Sequence, residues 1–106
     1  MEDEREIIIG EVGIDSGQIL LIDPCYIDSN WVKSEEGKGE YGGGSYEDCC
    51  KVTLGDKSAG EVKSIGGVAS ETGYGDGVYP VYAKYDRRGR ITEIRIVFEE
   101  QGEQEE

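Results

Sequence analysis

The chain reads as a mainly β protein, a small antiparallel sandwich or partly open barrel with one or two short helical turns. Three observations lead there. Turn signals recur about every ten residues, as in compact antiparallel architectures. The 17 glycines among 106 residues exceed twice the usual share. The last apolar segment alternates, with Ile94, Ile96 and Phe98 on one side and Glu93, Arg95 and Val97 on the other. A chain of this length buries roughly two thirds of its unfolded surface, enough for one core without covalent staples. Residues 1–100 are therefore expected to form a single β-rich domain, and residues 101–106 an acidic disordered tail.

From Glu6 to Ile14 the residues are β-branched and apolar, Asp15-Ser16-Gly17 supplies a turn, and Gln18 to Asp23 returns as an apolar strand. This predicts a hairpin over the first 23 residues, ended by Pro24, which has no N–H to donate. Tyr26 to Val32 predicts a single helical turn, capped by the polar Asp28-Ser29-Asn30 cluster and presenting Trp31 to the core. Lys33 to Gly44 holds five glycines and predicts a mobile loop. Ser45-Tyr46-Glu47-Asp48 suggests a short helix with a capping-box pattern. Lys51 to Leu54 and Val62 to Ser70 read as strands flanking the turn-forming Gly55 to Gly60. Val78 to Tyr85 and Arg90 to Glu99 form the clearest hairpin, joined by Asp86-Arg87-Arg88-Gly89 with glycine placed for a bulge-type turn.

The formal charge is −13, with more than half of the excess at the two ends. With 11 Lys and Arg against 24 Asp and Glu, nothing draws a phosphate backbone along a groove, so no nucleic-acid partner is expected. No apolar run reaches membrane-spanning length and the chain opens with acids rather than a signal peptide, so neither membrane nor secretion is expected and the compartment reads as cytoplasmic. Cys25, Cys49 and Cys50 are an odd count without a signal peptide, which fits reduced thiols. Adjacent cysteines on a strand face opposite ways, so no shared metal site is expected; the thiols read as buried structural groups, with a redox switch or a Cys25 bridge as the alternative.

Histidine is absent, which removes the commonest general base, the serine triad and most zinc sites. No metal, cofactor or catalytic residue is expected. Asp23 ahead of Pro24 reads as a cap for the N–H groups of the following turn; alternatively it accepts a donor from a ligand beside Tyr26. Gly73-Tyr74-Gly75-Asp76-Gly77 leaves its backbone almost unshielded, fitting either an anion-cradling nest or a tight corner needing positive φ. The spacing matches neither a dinucleotide fingerprint nor a P-loop, and Asp76 alone does not make an EF-hand. Seven tyrosines against one phenylalanine fit either strand propensity or a wet binding surface. If Tyr74, Tyr79, Tyr82 and Trp31 line one groove, its natural guest is a flat polar molecule such as a nucleobase, with Arg90 or Arg95 balancing charge.

Leu21-Ile22-Asp23-Pro24-Cys25-Tyr26 and Gly73 to Tyr82 resemble an uncharacterised domain-of-unknown-function family of bacteria and their phages. The likeness extends to Gly13–Gly17 and to Arg90–Phe98, about half the chain, and leaves Lys33 to Gly60 unmatched. It implies bacterial or phage origin and a compact β-rich fold, and brings no activity with it. Three functions stay open. The first is a non-enzymatic binding protein, of phage or bacterial origin as the resemblance implies, that captures a small nucleotide-like ligand through Asp23, Tyr26, Trp31, Tyr74, Gly75, Asp76, Gly77, Tyr79, Tyr82 and Arg90. The second is a module docking a host or virion protein through an edge strand or a tyrosine-rich face. The third is a carboxylate-dependent hydrolase that needs Asp23 and Asp76 within about 5–10 Å of each other.

Overall fold

The structure, a computed structural model, describes residues 5–99. The expected tail at 101–106 lies outside the described residues. In chain order the elements are β1 (Arg5–Ile14), β2 (Gln18–Leu21), α1 (Cys25–Ser29), α2 (Gly44–Thr53), β3 (Ala59–Val62), β4 (Gly67–Glu71), β5 (Gly77–Tyr85) and β6 (Ile91–Ile96). They form two antiparallel three-stranded sheets, ordered β1-β5-β6 and β2-β4-β3, and neither closes into a barrel. The chain divides into two compact units, one from residues 1–17 with 73–106 and one from residues 18–72.

In the first unit β5 is the central strand. Cross-strand partners share a face, so the register stacks Arg5, Tyr85 and Ile91 in one row, Ile7, Ala83 and Ile94 in the next, and Gly10, Val81 and Ile96 in a third. The opposite face carries Glu6, Lys84 and Glu93, then Ile8, Tyr82 and Arg95. The register slips between Ile8 and Gly10, where Ile9 makes a bulge on β1. Pro80 is tolerated in the central strand because its carbonyl faces the β6 side and accepts from Val97 N at 3.3 Å, past the end of β6. The N–H that proline lacks would point the same way, where the β6 ladder has already stopped. Tyr79 and Ala83 are fully buried, and Phe98 stands edge-on to the Tyr79 ring at 5.4 Å.

In the second unit α2 packs on β3 and β4. The core is Cys49, Val62, Ile65 and Ala69, with Leu20, Ile22, Trp31 and Val52 against it. The expected role of Trp31 is thus met, and α1 supplies the expected helical turn. Its polar cluster lies at the other end from that expected: Asp28 and Ser29 are its last residues and Asn30 its C-cap, while Ser29 Oγ donates back to the Cys25 carbonyl.

Four expectations are corrected. β1 and β2 are not a hairpin, since β1 pairs with β5 and β2 with β4 in a different sheet. Lys51 to Thr53 is the last turn of α2 rather than a strand. Its buried face is Ser45, Cys49 and Thr53, spaced by four as a helix requires. The stretch from Val62 to Ser70 is two strands joined by a turn, with Gly66 at φ +69°. The 33–44 loop is not loosely held: Glu35 N donates to Gly42 O at 2.7 Å, Ser45 N to Val32 O at 2.9 Å, and Val32 N to Ser45 Oγ at 2.8 Å.

Candidate functional site

The ten residues singled out from the sequence fall on both units. Asp23, Tyr26 and Trp31 belong to the second, and the other seven to the first. The two carboxylates of the hydrolase reading, Asp23 and Asp76, are likewise divided between the units.

In the second unit Asp23 Oδ1 accepts the Cys25 N–H at 3.0 Å, as the capping reading requires. The same carboxylate accepts a hydrogen bond from the Cys25 thiol and so holds that thiol's pKa above its ordinary value, with a smaller contribution from burial and from the nearby negative charge. Cys25 is exposed, contrary to the expectation of burial, whereas Cys49 and Cys50 are buried. Desolvation raises the Cys49 thiol. The Tyr26 ring lies over Gly66, where a Cβ would come within 3.2 Å of it. Both adjacent cysteines sit on α2, where the Cys50 sulfur accepts from Gln18 Nε2 at 3.6 Å.

The Gly73–Gly77 loop leads into β5 of the first unit. Gly73 and Gly75 take positive φ, at +84° and +79°, and neither has a neighbour within 4 Å of a notional Cβ. Tyr74 is 57% exposed and Asp76 is exposed beside Gly17. Tyr79 is placed differently. It is fully buried and its hydroxyl donates to the Gly75 carbonyl at 2.8 Å, so its ring braces the loop from below and has no face left for a guest. Tyr82 is also engaged: the Arg95 guanidinium lies 4.8 Å from its ring centroid and is itself held by the Glu6 carboxylate at 2.6 Å. Arg95 is therefore committed within the sheet. Arg90 follows the far end of β5, and at about 3.3 Å per residue the nine residues of that strand put it roughly 25–30 Å from Gly77. The sequence placed Arg90 in the same site as the glycine loop, and the length of the strand separates them.

Three features of the structure were missed by sequence reasoning. The first is an amphipathic sheet in the first unit. Its ion-paired face carries Glu6–Arg95 and Lys84–Glu93, the latter at 3.8 Å, while the other face leaves Ile7, Ile91 and Ile94 about half exposed around the fully buried Ala83. The alternation in β6 did signal this face, but as one that would be covered. The second is the β5–β6 tip, where Arg88 and Arg90 are exposed next to Ile91. The third is Glu47, nearly buried on α2, which ties down the preceding loop through Tyr41 N and Gly43 N. Those two N–H groups hold its carboxyl below the ordinary value. Beside this loop a cavity of about 170 Å³ is lined by Val32, Lys33, Glu35, Lys38, Gly42 and Gly44. Lys38 and Glu35 in its wall pair at 3.4 Å, so the lining keeps one charge in excess, that of Lys33. Among the described residues no three Cys, Asp or Glu side chains gather as a metal site would need.

Fold and site together define a β-rich protein of two small antiparallel sheets. The chain belongs to the family described as "Protein of unknown function (DUF4241)", whose model matches residues 12–96, a span that contains both glycine- and tyrosine-bearing segments noted above. Comparison with curated proteins and with solved structures gives no match.

Proposed function

We propose that the chain is a non-enzymatic binding protein that docks a protein partner on the apolar face of the β1-β5-β6 sheet. One observation carries this reading: Ile7, Ile91 and Ile94 are 47%, 53% and 49% exposed on a single face, around an alanine that is wholly buried. Scattered exposed isoleucines are ordinary, but three neighbours on one face of an open sheet form a contiguous apolar patch of the kind that marks an interface. Bacterial or phage origin and a cytoplasmic setting, as the family resemblance and the reduced thiols imply, make a host or virion protein the natural partner. The test is affinity capture from bacterial lysate with the wild type and an Ile91→Ser/Ile94→Ser variant of matching melting temperature. A partner held by the first and lost by the second is expected; identical capture by both overturns the reading.

A second reading, capture of a small nucleotide-like ligand, is favoured by the exposed Tyr74 beside two unshielded glycines. Its donors are the amides of the Gly73–Gly77 loop, without Tyr79 or Arg90. A panel of nucleotides followed by thermal shift tests it: a rise in melting temperature that Tyr74→Ser abolishes is expected, and a flat panel ends it.

A further inference from the structure

The β5–β6 tip joins directly onto the apolar face and carries the opposite character. Asp86 Oδ1 accepts both the Arg88 N–H at 2.8 Å and the Arg90 N–H at 3.0 Å. The backbone closes the turn through Asp86 N to Arg90 O at 2.9 Å and Gly89 N to Asp86 O at 3.0 Å, with Gly89 at φ +81°. The Asp86 carboxylate is thus turned inward onto the backbone, and the Arg88 and Arg90 side chains are directed outward from a rigid turn. Neither makes an ion pair among the described residues, although Arg95 and Lys84 on the same sheet both do. All five arginines of the chain belong to the first unit, whose described residues come close to charge balance, so the acidic excess lies elsewhere.

β6 continues from this tip as an edge strand, bonded to β5 on one side and to no strand on the other among the described residues. Both edges carry an irregularity, β1 at Ile9 and β6 at Thr92, but β6 keeps a regular ladder from Glu93 to Ile96 and leads straight out of the arginine-bearing tip. We propose that β6 takes up an extended peptide of a partner protein, with apolar residues laid beside Ile91 and Ile94 and an acidic end clasped by Arg88 and Arg90. This deepens the docking role proposed above and rests on it. The open ladder supplies main-chain hydrogen bonds, the half-exposed isoleucines select apolar side chains, and the planar guanidinium forks select carboxylates. A polynucleotide would bring its backbone charge up to a chain of −13, which opposes it; a peptide with a few carboxylates at one end meets only the near-neutral sheet and its cationic tip.

The test uses the full chain and a short fluorescein-labelled peptide of alternating valine and threonine ended by a run of glutamates, followed by fluorescence anisotropy. The same peptide ended by glutamines and a single-stranded oligonucleotide serve as comparisons. The glutamate peptide is expected to bind, to weaken with salt, and to lose about tenfold in affinity with Arg88→Gln/Arg90→Gln. Charge reversal, Arg88→Glu/Arg90→Glu, is expected to transfer preference to a lysine-ended peptide, a gain that a misfolded variant would not show. Equal binding of the glutamine and glutamate peptides, no binding of the glutamate peptide, or tighter binding of the oligonucleotide through the same arginines overturns the proposal. The two readings fail separately. If Ile91→Ser/Ile94→Ser abolishes partner capture while the tip variants change nothing, the docking face stands and the acidic clasp falls. If the tip variants act and the isoleucine variants do not, the docking face is what falls.

Discussion

Oε1 of Glu47 accepts the N–H of Gly43 at 2.7 Å, and with it the N–H of Tyr41 at 2.8 Å, so one carboxylate oxygen fastens both to the start of α2. A side chain from inside the helix thereby satisfies backbone donors of the loop that enters it, the task a cap residue would otherwise perform. Gly43, which occupies the N-cap, has no side chain with which to do so.

This arrangement fixes the sign of a pH effect. The Glu47 carboxyl titrates below its ordinary value in the folded protein, chiefly through the Tyr41 and Gly43 N–H groups. Its contribution to stability is therefore complete above the unfolded-state pKa and is lost as pH falls through the folded one. Glu47→Gln keeps an acceptor oxygen but loses the charge. Its melting temperature is expected to lie below wild type at neutral pH, with the gap narrowing below about pH 5 and closing in stronger acid. A gap independent of pH would show that the charge contributes nothing.

Gly39 makes room for that carboxylate. It sits at φ +56°, and a Cβ there would run into the Glu47 carboxyl group. Gly37 nearby has φ +87° with nothing within 4 Å, so it isolates the backbone cost alone. Gly37→Ala is expected to lose about 1–2 kcal/mol from left-handed strain. Gly39→Ala bears that strain and displaces Glu47 as well, so its urea midpoint is expected to fall further. Equal losses in the two variants would detach Gly39 from the Glu47 anchor.

The same region shows why part of the fold was hidden in the sequence. β1, β5 and β6 were legible because β-branched residues and a glycine-bearing turn mark them locally. The partner of β1 was not, since Asp15-Ser16-Gly17 is a sound turn whichever sheet the next strand joins, and the pairing with β5 is a long-range choice. The start of α2 was legible in Ser45 to Asp48, but its continuation to Thr53 was hidden because its buried face is built from Ser45, Cys49, Cys50 and Thr53, whose small polar and sulfur side chains leave little apolar periodicity to read. In the candidate site the open glycine loop was legible from composition. The fate of its tyrosines was not: a strand tyrosine that packs inward, as Tyr79 does, has the same local sequence as one that stacks a ligand. Arg90 was misplaced because closeness along the sequence ignores the length of the strand between.

Tyr79 offers a direct measure of how firmly the glycine loop is braced. Tyr79→Phe removes the hydroxyl that reaches the Gly75 carbonyl and keeps the ring against Phe98. It is expected to cost about 0.5–1.5 kcal/mol in denaturant unfolding. Tyr79→Ala also empties the space of a fully buried ring and is expected to cost about 3–5 kcal/mol. Should Tyr79→Phe match wild type, the bond to Gly75 would be one that water replaces without loss.

The three thiols are expected to separate by reactivity. Cys25 is exposed and Cys49 and Cys50 are buried, so iodoacetamide should add once to the folded protein and three times after guanidinium unfolding, counted by mass. The single folded-state addition should also be slow for an exposed cysteine. The Asp23 carboxylate accepts from the protonated thiol and opposes a neighbouring thiolate, and the thiolate is the reacting form. Asp23→Asn keeps an oxygen to accept the Cys25 backbone N–H but removes the charge, so alkylation at Cys25 is expected to accelerate several-fold at mildly alkaline pH. Because the Asp23 side chain both caps the α1 turn and restrains the thiol beside it, an unchanged rate would reduce its role to the cap alone.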